Sequence, residues 1–398
     1  MMAGSRAVLE VVLVTSILAV VGSVDPEVHM DAIELIKSKG YPAERHYVTT
    51  PDGYILQMHR IPYSKNANGS SNITRPVFFL QHGLLCSSTN WLTNLANESF
   101  AFILSDAGFD VWMGNVRGNT YSRNHTHLTV HDKAFWNFSF DQHSLIDLPA
   151  MLTKTMEIST QNKLFYAGHS QGTIMGFAGF TANKTLADHI TAFFALAPVT
   201  TVKDVKGLFA AVEYVYKPLE YLFNLFGEGE FSPNDEFIDW AADYICPLDI
   251  EIEELCRDVI FLICGFDVSN INVTRIPVYY SHTPAGTSVK NIVHYAKEMK
   301  SGKFRKYDYG TEGNLKAYGT REPPNYNTSE LSVPTALFSG GHDWLADPDD
   351  VARLVPQIKD TVFNHTNISY YEHLDFIWGL DARYKVYDPI IEMTKKFL

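Results

Sequence analysis

The sequence predicts an α/β fold: a mostly parallel central sheet with helices on both faces and a helical cap/lid insertion. Three observations carry this. Short, wholly apolar runs alternate with stretches of helical periodicity, as buried parallel strands and their covering helices do. The apolar runs end in loops bearing Gly, Pro or polar residues, where the chemistry of such sheets is found. Between about residues 201 and 326 the alternation stops and the pattern turns helical and aromatic-rich.

The elements read as follows. Arg6 precedes an apolar run, Ala7 to Val21, broken by Glu10 and two hydroxyl residues, and Val21-Gly22-Ser23 follows. This run is short for a bilayer span, so residues 1–23 read as a cleaved signal peptide. No later stretch has 18 consecutive apolar residues, so the mature chain is expected to lack a transmembrane segment. Residues 24–200 and 327–398 form the core domain. Its strands are expected at Pro76–Gln81, Phe109–Met113, Lys163–Ala167, Ala192–Leu196 and Pro334–Phe338, with a last one at Asn367–Tyr371. Helical periodicity lies between, as from Leu145 to Glu157.

Residues 201–326 read as the helical cap and lid, inserted between two core strands. Along 207–226, Glu213, Lys217, Glu220 and Asn224 share one helical face; the remainder is apolar, and Pro218 kinks or divides the helix. Such a segment is either buried on most sides or a lid turned toward an apolar ligand.

The formal net charge of −13 argues against nucleic acid as a partner, because no basic stripe offsets the phosphate repulsion. Asn-x-Ser/Thr sequons start at Asn68, Asn72, Asn97, Asn124, Asn183, Asn272, Asn327, Asn364 and Asn367. With the signal peptide they predict passage through the secretory pathway, to the cell exterior or the lysosomal lumen. A further sequon at Asn137, between Trp136 and Phe138, is expected to be too buried for use. Cys86, Cys246, Cys256 and Cys264 are too few for a disulfide scaffold. Cys246 and Cys256 flank a short acidic stretch and could close a small loop; the alternative is four unpaired thiols. Their spacings, with no His nearby, do not suit a zinc site.

Gly168-His-Ser-Gln-Gly172 fits G-x-S-x-G and stands between an apolar strand and a helical pattern, the setting of a nucleophile elbow. Ser170 is therefore the candidate nucleophile. A serine needs a base, and the base an orienting acid, in the chain order Ser, Asp, His for such an elbow. Asp343 lies in Gly340-Gly-His-Asp343, just past a strand; its rivals Asp347, Asp349 and Asp350 open a helical pattern, where carboxylates usually cap. His373, in the loop after the last expected strand, is the candidate base, with His342 and His365 as rivals. The backbone N–H groups of Gln171 and Leu84 are the candidate oxyanion donors, the latter in the His82-Gly83-Leu84 loop. This chemistry calls for no metal and no cofactor.

With these residues in view, the chain resembles the acid lipase family of α/β-hydrolases, which contains gastric and lysosomal acid lipases. The resemblance runs from about Val28 to the C-terminus. It includes Pro51-Asp-Gly-Tyr-Ile-Leu56, His82-Gly-Leu-Leu85, Asn115-Val-Arg-Gly-Asn-Thr-Tyr-Ser-Arg123, Asp147-Leu-Pro-Ala150 and the elbow. Ser281-His-Thr-Pro-Ala-Gly-Thr-Ser288, Gly340-Gly-His-Asp-Trp-Leu-Ala-Asp-Pro348 and His373-Leu-Asp-Phe-Ile-Trp378 complete it. The resemblance implies an α/β-hydrolase fold with a helical cap and lid, and hydrolysis of triacylglycerols or cholesteryl esters at a lipid–water interface. It implies Ser170, Asp343 and His373 as the triad, Leu84 and Gln171 as oxyanion donors, and a Cys246–Cys256 disulfide with Cys264 free. Gln142 stands where the family usually has an acidic residue, which implies an altered local salt bridge. Three other classes share parts of this pattern: a carboxylesterase for short soluble esters, a non-catalytic lipid-binding protein of the same fold, and a serine peptidase.

Overall fold

Burial on both faces makes the central strands continuous apolar runs, and these are the strands that set the frame of the molecule. The computed structural model describes residues 25–67, 73–207, 209–210, 229–231 and 269–398. The expected signal peptide, the sequons at Asn68 and Asn72, Cys246, Cys256 and Cys264, and most of the expected lid helix lie outside the described residues.

The strands are β1 (Glu44–Thr49), β2 (Tyr54–Ile61), β3 (Val77–Gln81), β4 (Asp110–Met113), β5 (Asn124–His125), β6 (Leu164–His169) and β7 (Ile190–Leu196). They continue with β8 (Glu230–Phe231), β9 (Thr287–Ser288), β10 (Thr335–Gly340) and β11 (Val362–Ile368). The main sheet runs β1-β2-β4-β3-β6-β7-β10-β11, with β5 paired to β2. From β4 to β11 every pairing is parallel, while β1 and β2 add an antiparallel edge. The helices used below are α1 (Phe100–Asp106), α2 (Leu148–Ser159), α3 (Gln171–Ala182), α4 (Val289–Ser301) and α5 (Pro348–Leu354).

The chain steps outward from β3 to β4 on one side and from β6 to β7 on the other. Right-handed crossovers in opposite directions put α1 and α3 on opposite faces of the sheet. They also open a crevice between β3 and β6 at their carboxyl ends, where Gln81 stands beside Gly168. The loop after β3 and the turn after β6, two of the segments expected to carry chemistry, leave the sheet at this crevice.

Two sequence expectations are corrected here. The last strand is Val362–Ile368, not Asn367–Tyr371. It is an edge strand with four consecutive polar residues, Asn364 to Asn367, so it lacks the apolar signature of its neighbours; Ser369–Tyr371 turn away, and Tyr371 is buried with its hydroxyl on Asp381. Asn137 is exposed, because the chain turns there and Trp136 and Phe138 alone point inward; its side chain accepts a hydrogen bond from Lys290 Nζ at 2.9 Å. The expected helix from Leu145 is α2 preceded by a π-turn, His143–Asp147. Within 201–326 the described residues contain helices Ile276–His282, α4 and Gly310–Tyr318, together with the short β8–β9 ladder.

Candidate active site

Ser170 sits alone between β6 and α3 with φ +54° and ψ −119°. A non-glycine residue there costs on the order of 1–3 kcal/mol and persists only when its surroundings hold it. Here the Ser170 N–H donates to the Leu196 carbonyl of β7 at 3.1 Å. The Ser170 carbonyl accepts from the Thr173 N–H (2.8 Å) and hydroxyl (2.6 Å). The two glycines of the motif have a steric reason. A Cβ on Gly168 would lie 2.4 Å from the Gly172 carbonyl group, and one on Gly172 would lie 2.3 Å from the Gln81 oxygen. Close approach of helix to strand at the turn therefore requires both.

The loop after β3 packs directly on this turn. A Cβ on Gly83 would come 3.0 Å from Ser170 Cβ, so the Gly83-Leu84 backbone runs beside the serine. Gln171 opens α3, so its N–H belongs to the helix N-terminus, whose partial positive charge suits an oxyanion.

Asp343 lies just past β10, and His373 follows β11. His373 Nδ1 is 2.9 Å from each Asp343 carboxylate oxygen. Asp343 is itself oriented: its Oδ1 accepts the N–H groups of Leu345 and Ala346, each at 2.8 Å. A carboxylate on Nδ1 fixes the tautomer that leaves Nε2 as the proton acceptor. His373 and Ser170 line one cleft together with Leu84. The rival residues do other work. Asp347 caps α5, Asp350 accepts from Thr201 and from the Asp204 N–H, His365 pairs with Ser339, and His342 is exposed.

Three further histidines surround the serine. Burial pushes His82 down to about 4 and His169 down to about 3, and burial also holds His143 well below its ordinary value. Burial thus keeps these three imidazoles neutral near pH 7. His169 donates from Nε2 to the His373 carbonyl at 2.9 Å, tying the base loop to the elbow.

Behind the elbow, Arg117 is buried. Its Nε donates to Asp147 at 2.8 Å and its terminal nitrogens to Asp52 at 2.6 and 2.9 Å, while its guanidinium lies 3.9 Å from the Tyr54 ring centroid. Arg117, Asp52 and Asp147 fall within motifs that carry the family resemblance, but separations of 30 and 65 residues hide in the sequence that they meet. Gln142, the departure from the family pattern, completes a capping box by accepting the Ser139 N–H at 2.8 Å, a task glutamate also performs.

The cleft over Ser170 is walled mainly by apolar side chains, among them Leu85, Val199, Val202, Val205, Phe209 and Leu374. Cys86 reaches it as a free, buried thiol. Such a lining favours an apolar group over a polar one beside Ser170.

Sheet order, elbow and crevice define an α/β-hydrolase. Residues 76–234 match the family model described as alpha/beta hydrolase fold, and residues 32–95 match the partial alpha/beta-hydrolase lipase region. The chain is 46% identical over 376 residues to the lysosomal acid lipase/cholesteryl ester hydrolase of Homo sapiens, covering 94% of this chain and 93% of that one. It is 45% identical over 372 residues to the gastric triacylglycerol lipase of Homo sapiens, covering 93% and 92%. Among solved structures, a hypothetical protein from Pseudomonas aeruginosa shares the fold with a TM-score of 0.57 at 10% identity, over 90% of this chain and 94% of that one. The chain belongs to the acid lipase family of α/β-hydrolases.

Proposed function

We propose that this chain is a lipase that hydrolyses the carboxylic esters of lipids, triacylglycerols or cholesteryl esters, through an acyl-enzyme on Ser170. The observation that carries the reading is the apolar cleft with Ser170 and the Asp343-bound His373 on its wall. The names of the two human relatives support the substrate class.

In this reading His373 Nε2 takes the Ser170 proton as Oγ attacks the ester carbonyl. Asp343 holds the tautomer and balances the imidazolium charge. The N–H groups of Leu84 and Gln171 receive the oxyanion. The imidazolium then protonates the departing alcohol. Water, activated by the same histidine, releases the fatty acid and restores Ser170. The lipid–water interface is the proposed site of work, with residues 24–200 and 327–398 as the catalytic core and 201–326 as the cap and lid. Delivery through the secretory pathway, to the exterior or the lysosomal lumen, fits the sequons. Asn97, Asn124, Asn183, Asn327 and Asn367 are exposed and Asn272 and Asn364 half-buried. No helix among the described residues is long and apolar enough to cross a membrane.

The test is a rate series on a long-chain triacylglycerol emulsion, a cholesteryl ester and a short soluble ester, beside Ser170→Ala. Serine-dependent turnover of the lipids supports the proposal. Turnover of the soluble ester alone would make the chain a carboxylesterase, and no serine-dependent turnover would make it a lipid binder.

A further inference from the structure

The side chain of Gln171, the residue after the nucleophile, is buried and fully engaged. Its Oε1 accepts from Asn291 Nδ2 at 2.8 Å and from the Tyr295 hydroxyl at 3.1 Å, and its Nε2 lies 3.3 Å from His143 Nδ1. Asn291 and Tyr295 lie four residues apart on one face of α4, far away in sequence. Asn291 is anchored in turn, accepting the Phe140 N–H at 2.7 Å and donating to Thr287 Oγ1 at 3.2 Å. Its own N–H donates to Ser288 Oγ at 3.0 Å.

Tyr295 has a second position in the site. Its ring lines the cleft over Ser170 and meets the Phe209 ring at 5.6 Å, nearly perpendicular. One side chain thus touches the space where an acyl chain would lie and, through its hydroxyl, the residue whose N–H is the proposed oxyanion donor. A neutral tyrosine–amide bond of this kind holds the Gln171 side chain, and with it the first turn of α3, against α4. The backbone N–H beside Ser170 is worth little unless it points at the developing oxyanion, because displacement of about 1 Å costs roughly a hundredfold in rate.

We propose that Tyr295 and Asn291 are positioning residues for the oxyanion donor: through Gln171 Oε1 they aim the Gln171 N–H. This rests on the reading of Ser170 as the nucleophile and Gln171 N–H as an oxyanion donor.

The test is Tyr295→Phe, which keeps the ring in the cleft and removes only the hydroxyl, set beside Gln171→Met and the double variant. On a soluble short ester we expect Tyr295→Phe to lower kcat about tenfold with KM within twofold of wild type. Affinity for a trifluoromethyl ketone, which forms the tetrahedral adduct, should fall by the same factor as kcat/KM. Affinity for the matching methyl ketone, which does not, should be unchanged. If Tyr295 acts through Gln171, adding Tyr295→Phe to Gln171→Met should cost less than twofold more. Equal losses for both ketones, or full additivity in the double variant, would overturn the proposal and leave Tyr295 a wall residue. Wild-type kcat in Tyr295→Phe would overturn it as well. Undiminished turnover in Ser170→Ala would instead overturn the underlying assignment of the nucleophile, which keeps the two failures apart.

Discussion

Replacing Gly172 by alanine tests whether the elbow is held by backbone contact. The added Cβ would stand 2.3 Å from the Gln81 oxygen, 3.0 Å from the Gln81 carbonyl carbon and 3.1 Å from the His82 oxygen, whereas ordinary contact begins at 3.4 Å. All three atoms are backbone of β3 and the loop that follows, so no side chain can swing aside. Helix α3 and β3 must part by about 1 Å, and that gap separates Ser170 and the Gln171 N–H from the Leu84 N–H. Overpacking of this kind costs roughly 1–3 kcal/mol of stability, a fall in Tm of a few degrees, whereas misalignment of about 1 Å costs on the order of a hundredfold in rate. Gly179→Ala on the same helix is the control. Its Cβ would meet the Ser144 oxygen at 3.0 Å and Leu148 Cδ2 at 3.1 Å, two turns from the serine, and a shift of a few tenths of an ångström relieves it. The assay is kcat/KM on a soluble ester with thermal unfolding of each variant. A Gly172→Ala protein with wild-type kcat/KM would refute the reasoning, since the reacting groups would then tolerate the separation.

Other predictions follow from the same contacts. Asp343→Asn removes the carboxylate on His373 Nδ1 and is expected to lower kcat by about 10⁴-fold with the fold intact; a loss below tenfold in steady-state kinetics would reassign the acid. Arg117→Met leaves Asp147 buried without its cation and is expected to cost about 3–5 kcal/mol in denaturant unfolding; a loss under 1 kcal/mol would make the pair dispensable. Burial lifts the Glu298 carboxyl well above its ordinary 4.5. The folded chain therefore holds a proton that the unfolded chain releases, and the stability due to this group is lost as pH rises above 4.5 through the folded value. Glu298→Gln should accordingly gain stability relative to wild type as pH increases, read from denaturation midpoints across the range, and a pH-independent difference would contradict it.

Some of this was legible in the sequence because the cause is local. Strands β3, β4, β6 and β7 are buried along nearly their whole length, so their composition alone announces them, whereas the edge strands β1 and β11 are half-buried or exposed along nearly all of theirs and do not. The elbow is legible because its steric needs fall on Gly168, Ser170 and Gly172, all within one turn. Asp343 and His373 could be chosen from rivals by chain order and by loop position after a strand.

What the sequence by itself determined are the buried parallel strands β3, β4, β6, β7 and β10 and the candidate residues at their ends: the strained turn at Ser170, and the chain order of serine, carboxylate and histidine. Only the tertiary structure decided what lies beside what. The reversal of strand order puts the Gly83 loop against Ser170, and the docking of α4 brings Asn291 and Tyr295 onto Gln171. The pairing of β5 alongside β2 accompanies the closing of Arg117 between Asp52 and Asp147. The physical reason is range. Helix and turn preferences act over a few residues, whereas these contacts join residues far apart in the chain, whose meeting depends on how the whole sheet is wound and covered.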